Sequence, residues 1–291
     1  MSYDLSVCVF IKDTFKGAFC LFESMAQLMP LADEFIVMDL GSTDGTLEVL
    51  LEIEKHNSKL QIAKGNLYKN DASIFAELAN VVIGFCNCSR ILYYQSDEIW
   101  HEGLIEVTKE MLETDIENLS FWRYQLRHNF QRIKWFPHIV HRIGTKDSLY
   151  FTDDGMNTVG AQGVRMCSNW GSGHFLQWGD RYKYNPEELP THEMILDVSL
   201  TGGFLENIPD RRKMHAPFWN EDPINPSMPA DEEGMALDRW IVRNRNDENW
   251  HRQTSPFDIP EIMRYHVGKQ RYELRSELLE ELKEGGTGEW R

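Results

Sequence analysis

Hydrophobic positions up to about residue 117 fall into short apolar runs separated by stretches of helical spacing. Leu5–Ile11 is apolar and rich in β-branched residues, which predicts a buried strand. Gly17–Met29 places Phe19, Leu21, Phe22, Met25 and Leu28 at near-helical intervals and predicts a helix. Phe35–Asp39 predicts a second strand, broken at Gly41. Ser42 or Thr43 can then cap a helix over Thr46–Lys55, with Asp44 favoured in its first turn by the helix dipole. Leu60–Ala63 reads as a third strand, and Asp71 or Ser73 starts a helix running to about Phe85. Ile91–Tyr94 reads as a fourth strand, and Ile99–Leu112 as the helix after it. This alternation predicts an α/β fold with a mainly parallel sheet flanked by helices on both faces.

The pattern changes after Asn118. Aromatic residues become dense, and strand-like runs such as Ser120–Leu126 and His138–Ile143 alternate with Gly/Asn/Asp-rich turns. Pro223–Pro229 holds three prolines and marks an exposed connection. Glu273–Glu284 predicts a terminal helix with Leu274, Leu278, Leu279 and Leu282 on one side. The expected organisation is a ligand-binding half, 1–117, and a mixed α+β half, 118–291, that ends in this helix. Both belong to one body.

Composition narrows the class. With 42% hydrophobic and 26% charged residues the chain is an ordinary globular protein. No apolar run reaches the ~20 residues of a membrane span, and the N-terminus reads as a first strand, not a leader. Five cysteines in no framework spacing are expected to be reduced, helix-buried thiols, and Cys86–Cys88 lacks the second pair that a zinc site needs. A cytoplasmic location is the expectation. A net charge of −16 opposes generic binding to nucleic acid or anionic membranes. The exception is 118–146, which has no Asp or Glu but holds Arg123, Arg127, Arg132, Lys134, Arg142 and Lys146 among aromatic rings.

Two strand ends carry candidate chemistry. One run ends in Asp39 and opens into a polar turn, and the other runs into Gln95, Ser96, Asp97 and Glu98. In open α/β sheets the carboxyl edge is where ligands bind. Carboxylates there suit a hard cation such as Mg²⁺ or Mn²⁺, which needs one or two protein oxygens plus phosphate. The bland alternatives are an Asx turn at Asp39, a strand-end turn at Asp13 and helix caps at Asp97 and Glu98.

These residues carry a resemblance. LSVCVFIKD, then DEFIVMDLGSTDGT, then NDASIFAELANVVIGFCNCSRILYYQSDE follow, in order, the segments of family 2 glycosyltransferases of the GT-A fold. The second is close to that family's DEIIVVDxGSTDGT, and the third ends where the family has D-x-D-E. The match is good over roughly residues 1–100 and weak beyond. It implies metal-dependent transfer of a hexose or pentose from a nucleotide-diphosphate donor, a UDP-sugar first, to an acceptor hydroxyl with inversion. It assigns Asp97 to the metal. Asp39, Asp13, Asn80 and Gln95 fall to the nucleotide-sugar, and Glu98 either supports the metal turn or accepts a sugar hydroxyl. His215, in RRKMHAPFW, matches a late His that completes the metal shell or binds diphosphate. Glu193 and Asp154 compete for the role of base. The chain departs from the family at Gln95, where the first Asp of D-x-D stands, and at Ala79, where an Arg is usual. A cation from 123–146 is expected to replace that Arg.

Acceptors open at this point are a saccharide, a lipid-linked glycan, a protein side chain or a hydroxylated DNA base. The basic aromatic segment could stack bases and hold phosphate, or it could be a core strand pair with diphosphate-binding cations. Two other functions compete. One is a non-catalytic nucleotide-sugar or glycan-binding relative. The other is a sugar-nucleotide nucleotidyltransferase, for which KDTFKGAF is a poor phosphate loop.

Overall fold

The alternation of side chains along β1 (Leu5–Ile11) divides the core between the two faces of a sheet. Leu5, Val7, Val9 and Ile11 pack with Phe35, Val37 and Leu92 against one set of helices, whereas Cys8 packs with Ile36, Met38, Ile91 and Tyr93 on the other side. The computed structural model describes residues 3–69, 71, 73–114, 118–127, 132–133, 138–152, 157–159, 165–167, 194–197, 214, 253–254 and 259–286.

The first face is covered by α2 (Leu21–Leu28), α3 (Thr46–Glu54), α5 (Glu102–Leu112) and α6 (Ser276–Lys283). The second is covered by α4 (Ser73–Gly84), through Ile74, Leu78, Ala79, Val82 and Ile83. Between them lie β2 (Glu34–Asp39), β3 (Leu60–Lys64) and β4 (Arg90–Tyr93). The order β3-β2-β1-β4 is parallel throughout, with Val9 opposite Val37 and Val7 opposite Leu92. β1, β2 and β4 are buried on both faces and read as apolar runs, whereas β3, at the sheet edge, is only partly buried and mixes polar with apolar residues.

The sheet continues past residue 118. β8 (His138–Gly144) adds antiparallel to β4, and β6 (Leu119–Arg127) adds antiparallel to β8. β12 (Met194–Asp197) lies parallel to β6 and antiparallel to β5 (Glu98–Trp100). β7 (Arg132–Ile133) joins β6 and β13 (Gln253–Thr254), while β9 (Tyr150–Thr152), β10 (Asn157–Val159) and β11 (Arg165–Cys167) form a small second sheet. No helix among the described residues is long and apolar enough to cross a membrane.

The structure corrects several expectations. The helix expected over Gly17–Met29 is two pieces: a short α1 (Thr14–Gly17), then α2 after a break at Ala18, whose φ is +50°. The Phe19 ring lies where a Cβ on Gly17 would stand, so the chain folds back there and does not run straight on. The helix expected from Ile99 begins at Glu102, capped by His101 Nδ1, because Glu98–Trp100 is recruited by β12. Neither Ser42 nor Thr43 caps α3, which starts after Gly45. The cysteines Cys8, Cys20, Cys86 and Cys88 are free thiols but lie outside helices, Cys8 in β1 and Cys20 at the residue that precedes α2. The Pro223–Pro229 stretch lies outside the described residues.

Candidate functional site

Strand order reverses between β1 and β4, because β2 and β3 extend the sheet on one side and β4 on the other. Such a reversal opens a crevice at the carboxyl ends of the strands. The sequence after β1 is Lys12-Asp13, β2 ends in Asp39, and β4 runs into Gln95-Ser96-Asp97. All three segments therefore reach one edge of the sheet.

Asp39 builds the loop that follows it. Its carboxylate accepts from the backbone N–H of Gly41 at 3.0 Å and of Ser42 at 3.1 Å. This is the Asx turn expected of that residue type. Gly41 and Gly45 bracket the loop at φ +80° and +94°, a region in which a Cβ is strained. Asp13, itself left-handed at φ +47°, ties the same loop to β1. Its Oδ1 accepts from the Thr43 N–H at 2.6 Å, and its own N–H donates to Ser42 Oγ at 2.8 Å. Asp44 accepts from the Thr46 and Lys16 N–H groups. Lys12 Nζ donates to the carbonyls of Leu40 and Gly41, and Lys16 Nζ to Thr43 Oγ1. The loop is thus held from two strand ends, with cationic side chains alongside.

The second acidic segment is a turn. The Glu98 N–H donates to the Gln95 carbonyl at 2.9 Å, and the Gln95 N–H donates back to Glu98 Oε2 at 3.1 Å. Asp97, half-buried, is the third residue of this turn. Glu98 is fully buried. Its Oε1 accepts from Arg142 Nη2 at 2.6 Å and from Arg123 Nη1 at 3.4 Å, and its Oε2 accepts from Arg142 Nε at 2.9 Å. This engagement moves Glu98 away from the expected contact with a sugar hydroxyl and into support of the turn. Gln95 Oε1 accepts from Arg123 Nη1 at 3.1 Å. Beneath the turn, burial raises the Tyr93 hydroxyl pKa far above its ordinary value, against the opposing pull of Arg142.

Asn80, expected at the nucleotide-sugar, turns its amide to β9: Nδ2 donates to the Phe151 carbonyl at 2.9 Å and Oδ1 accepts from the Phe151 N–H at 2.8 Å. Arg123 and Arg142, two of the cations expected near a diphosphate, are buried against Glu98. Glu193, Asp154 and His215 lie outside the described residues, as do the side chains of Arg127, Arg132 and Lys134. Among the described residues no group of three His, Cys, Asp or Glu side chains forms a cage for a metal. A hard carboxylate such as Asp97 fits a cation held mostly by phosphate oxygens, as Mg²⁺ is when bound by one or two carboxylates. The arginine clamp was not recognised from the sequence. Its signal lay in Glu98 heading the buried run EIW, since a buried charge requires a partner.

No protein-family model and no curated protein matches the chain. Solved structures overlap it in part. S. aureus TarS 1-349 in complex with UDP shares 19% identity over 44% of this chain and 36% of its own, with a TM-score of 0.30. The mannosyltransferase PcManGT from Pyrobaculum calidifontis, in complex with GDP-Man and Mn²⁺, shares 17% over 43% and 36%, with a TM-score of 0.31. Glucosyl-3-phosphoglycerate synthase from Mycobacterium tuberculosis, in complex with Mn²⁺, UDP and glucosyl-3-phosphoglycerate, shares 16% over 43% and 44%, with a TM-score of 0.29. The chain spans under half the length of each. The fold assignment rests on the strand order and register described above.

Proposed function

We propose that this chain is a metal-dependent glycosyltransferase of the GT-A type. In this reading it transfers a sugar from a nucleotide-diphosphate donor, a UDP-sugar first, to an acceptor hydroxyl with inversion. One observation carries the reading: Asp13, Asp39 and the Asp97 turn follow or close the carboxyl ends of the neighbouring parallel strands β1, β2 and β4, in the order the sequence resemblance requires. Asp39 already orders its own loop, and its remaining lone pairs are the acceptors for a nucleotide base or ribose. Asp13 keeps that loop against β1. Asp97 would hold Mn²⁺ or Mg²⁺ together with diphosphate oxygens, and His215 is the candidate for a further ligand. Such a cation neutralises the charge that develops on a departing diphosphate. Glu193, or else Asp154, is the candidate base that takes the proton from the acceptor hydroxyl.

A saccharide is the preferred acceptor class over a hydroxylated DNA base. Arg123 and Arg142 are committed to Glu98, which removes two cations from the segment that a polyanion would have to use. The test is a hydrolysis screen across nucleotide sugars with Mn²⁺, Mg²⁺ or EDTA, followed by acceptor profiling with the preferred donor. Metal-dependent release of nucleoside diphosphate from one donor is the expected result. Tight binding of a nucleotide sugar without turnover in the presence of any acceptor would make the chain a non-catalytic relative instead.

A further inference from the structure

We infer that Arg123 is a positioning residue that fixes the direction of Asp97 through Gln95, while Arg142 fixes the other end of the same turn through Glu98. The inference rests on the glycosyltransferase reading of Asp97. The turn spans Gln95 to Glu98, and each end is gripped by a guanidinium from a strand that follows residue 118. Arg142, on β8, holds Glu98 by both of its fork nitrogens, and is itself steadied by donating from Nη1 to the His141 carbonyl at 3.2 Å. Its guanidinium carbon stands 5.7 Å from the centre of the Tyr93 ring. Arg123, on β6, reaches from Nη1 to both Gln95 Oε1 and Glu98 Oε1.

The chemistry suits fixation better than ligand contact. Arg142 and Glu98 are wholly buried and Arg123 nearly so, which keeps the guanidinium groups from meeting a diphosphate. A guanidinium stays charged at every relevant pH, and its planar fork sets direction as well as distance. Gln95 offers Arg123 a neutral acceptor. The turn is therefore held without adding a third carboxylate to Asp97 and Glu98, where like charges would repel. On this account the residue that departs from D-x-D is the handle by which the second half of the chain orients the metal carboxylate.

A double-mutant cycle tests this. Arg123→Met leaves the Glu98–Arg142 pair in place, and Gln95→Leu removes the handle without changing charge. The readout is the Mn²⁺ dissociation constant in the presence of UDP, by electron paramagnetic resonance, with circular dichroism to confirm the fold. Each single variant should weaken Mn²⁺ binding about tenfold, and the double variant should fall well short of the product of the two losses, because both remove the Arg123–Gln95 contact. Arg123→Lys should recover part of the loss. A folded Arg123→Met variant with wild-type Mn²⁺ affinity would overturn the inference, as would fully additive losses in the double variant. Asp97→Asn separates the levels. If it too binds Mn²⁺ as well as wild type, the metal reading itself fails. If it loses binding while Arg123→Met does not, only the positioning role fails.

Discussion

Glu98 and Arg142 form a bidentate pair, at 2.6 and 2.9 Å, in which neither side chain is exposed to solvent. Arg123 stands on the same carboxylate, so one buried anion answers two buried cations. Breaking such a cluster at its anion removes a buried charge partner from both cations. Glu98→Gln should therefore cost ~3–5 kcal/mol of stability in urea unfolding, the range for orphaning a buried charge. Arg123→Met, which leaves the bidentate pair intact, should cost clearly less. Equal losses for the two variants would contradict this ranking.

The sequence made β1, β2 and β4 legible because strands buried on both faces must be apolar along nearly their whole length, as in LSVCVFI and EFIVMD. Asp39 and Asp97 were legible as candidates because Asp39 closes such a run and Asp97 follows one by a short turn, which puts both at the carboxyl edge. Ile99 and Trp100, expected to begin a helix, lie instead in the strand Glu98–Trp100. Its strand character comes from pairing with Met194–Asp197, far along the chain, which no local pattern contains. Arg123 and Arg142 were visible as cations, yet their basic, aromatic surroundings suggested a ligand-facing surface. Their partner, Glu98, is distant in sequence and joins them only when β6 and β8 dock beside β4.

Asp39 supports both its loop and the proposed nucleotide. Asp39→Ala removes the acceptor for the Gly41 and Ser42 N–H groups as well as any contact with base or ribose. UDP affinity should fall by ~1–3 kcal/mol, the range for an unmet buried polar partner. Titration calorimetry on the folded variant measures it, and unchanged affinity would remove Asp39 from the nucleotide pocket.

His141 predicts a pH dependence of stability. Burial, the largest cause, lowers its pKa to about 4, and its Nδ1 lies 3.0 Å from Thr158 Oγ1. The unfolded chain takes up the proton near pH 6.5 and the folded chain only near pH 4. The contribution is therefore complete above pH 6.5 and is lost as pH falls towards 4, by ~3 kcal/mol in all. Relative to His141→Gln, the wild-type protein should lose about this much on going from pH 7 to pH 4. A constant difference between the two across that range would refute the assignment.

The C-terminal segment is held by a buried carboxylate on α2. Glu23 Oε1 lies 2.7 Å from His266 Nε2, and its Oε2 accepts from the Tyr272 hydroxyl at 2.9 Å. Tyr272→Phe deletes one hydrogen bond to a charged group and should destabilise the protein by about 2 kcal/mol. The effect should also appear as faster amide exchange in 259–286. Wild-type stability would show that the hydroxyl contributes nothing to docking.

The central claim is that Asp97 brings a divalent cation to a nucleotide-sugar donor. The most direct measurement is donor hydrolysis by wild type and Asp97→Asn, each with Mn²⁺ and with EDTA. The account predicts turnover by wild type with Mn²⁺, abolished by EDTA, and loss of most of it in a folded Asp97→Asn protein. Full wild-type turnover in EDTA, or an Asp97→Asn variant as active as wild type, would contradict it.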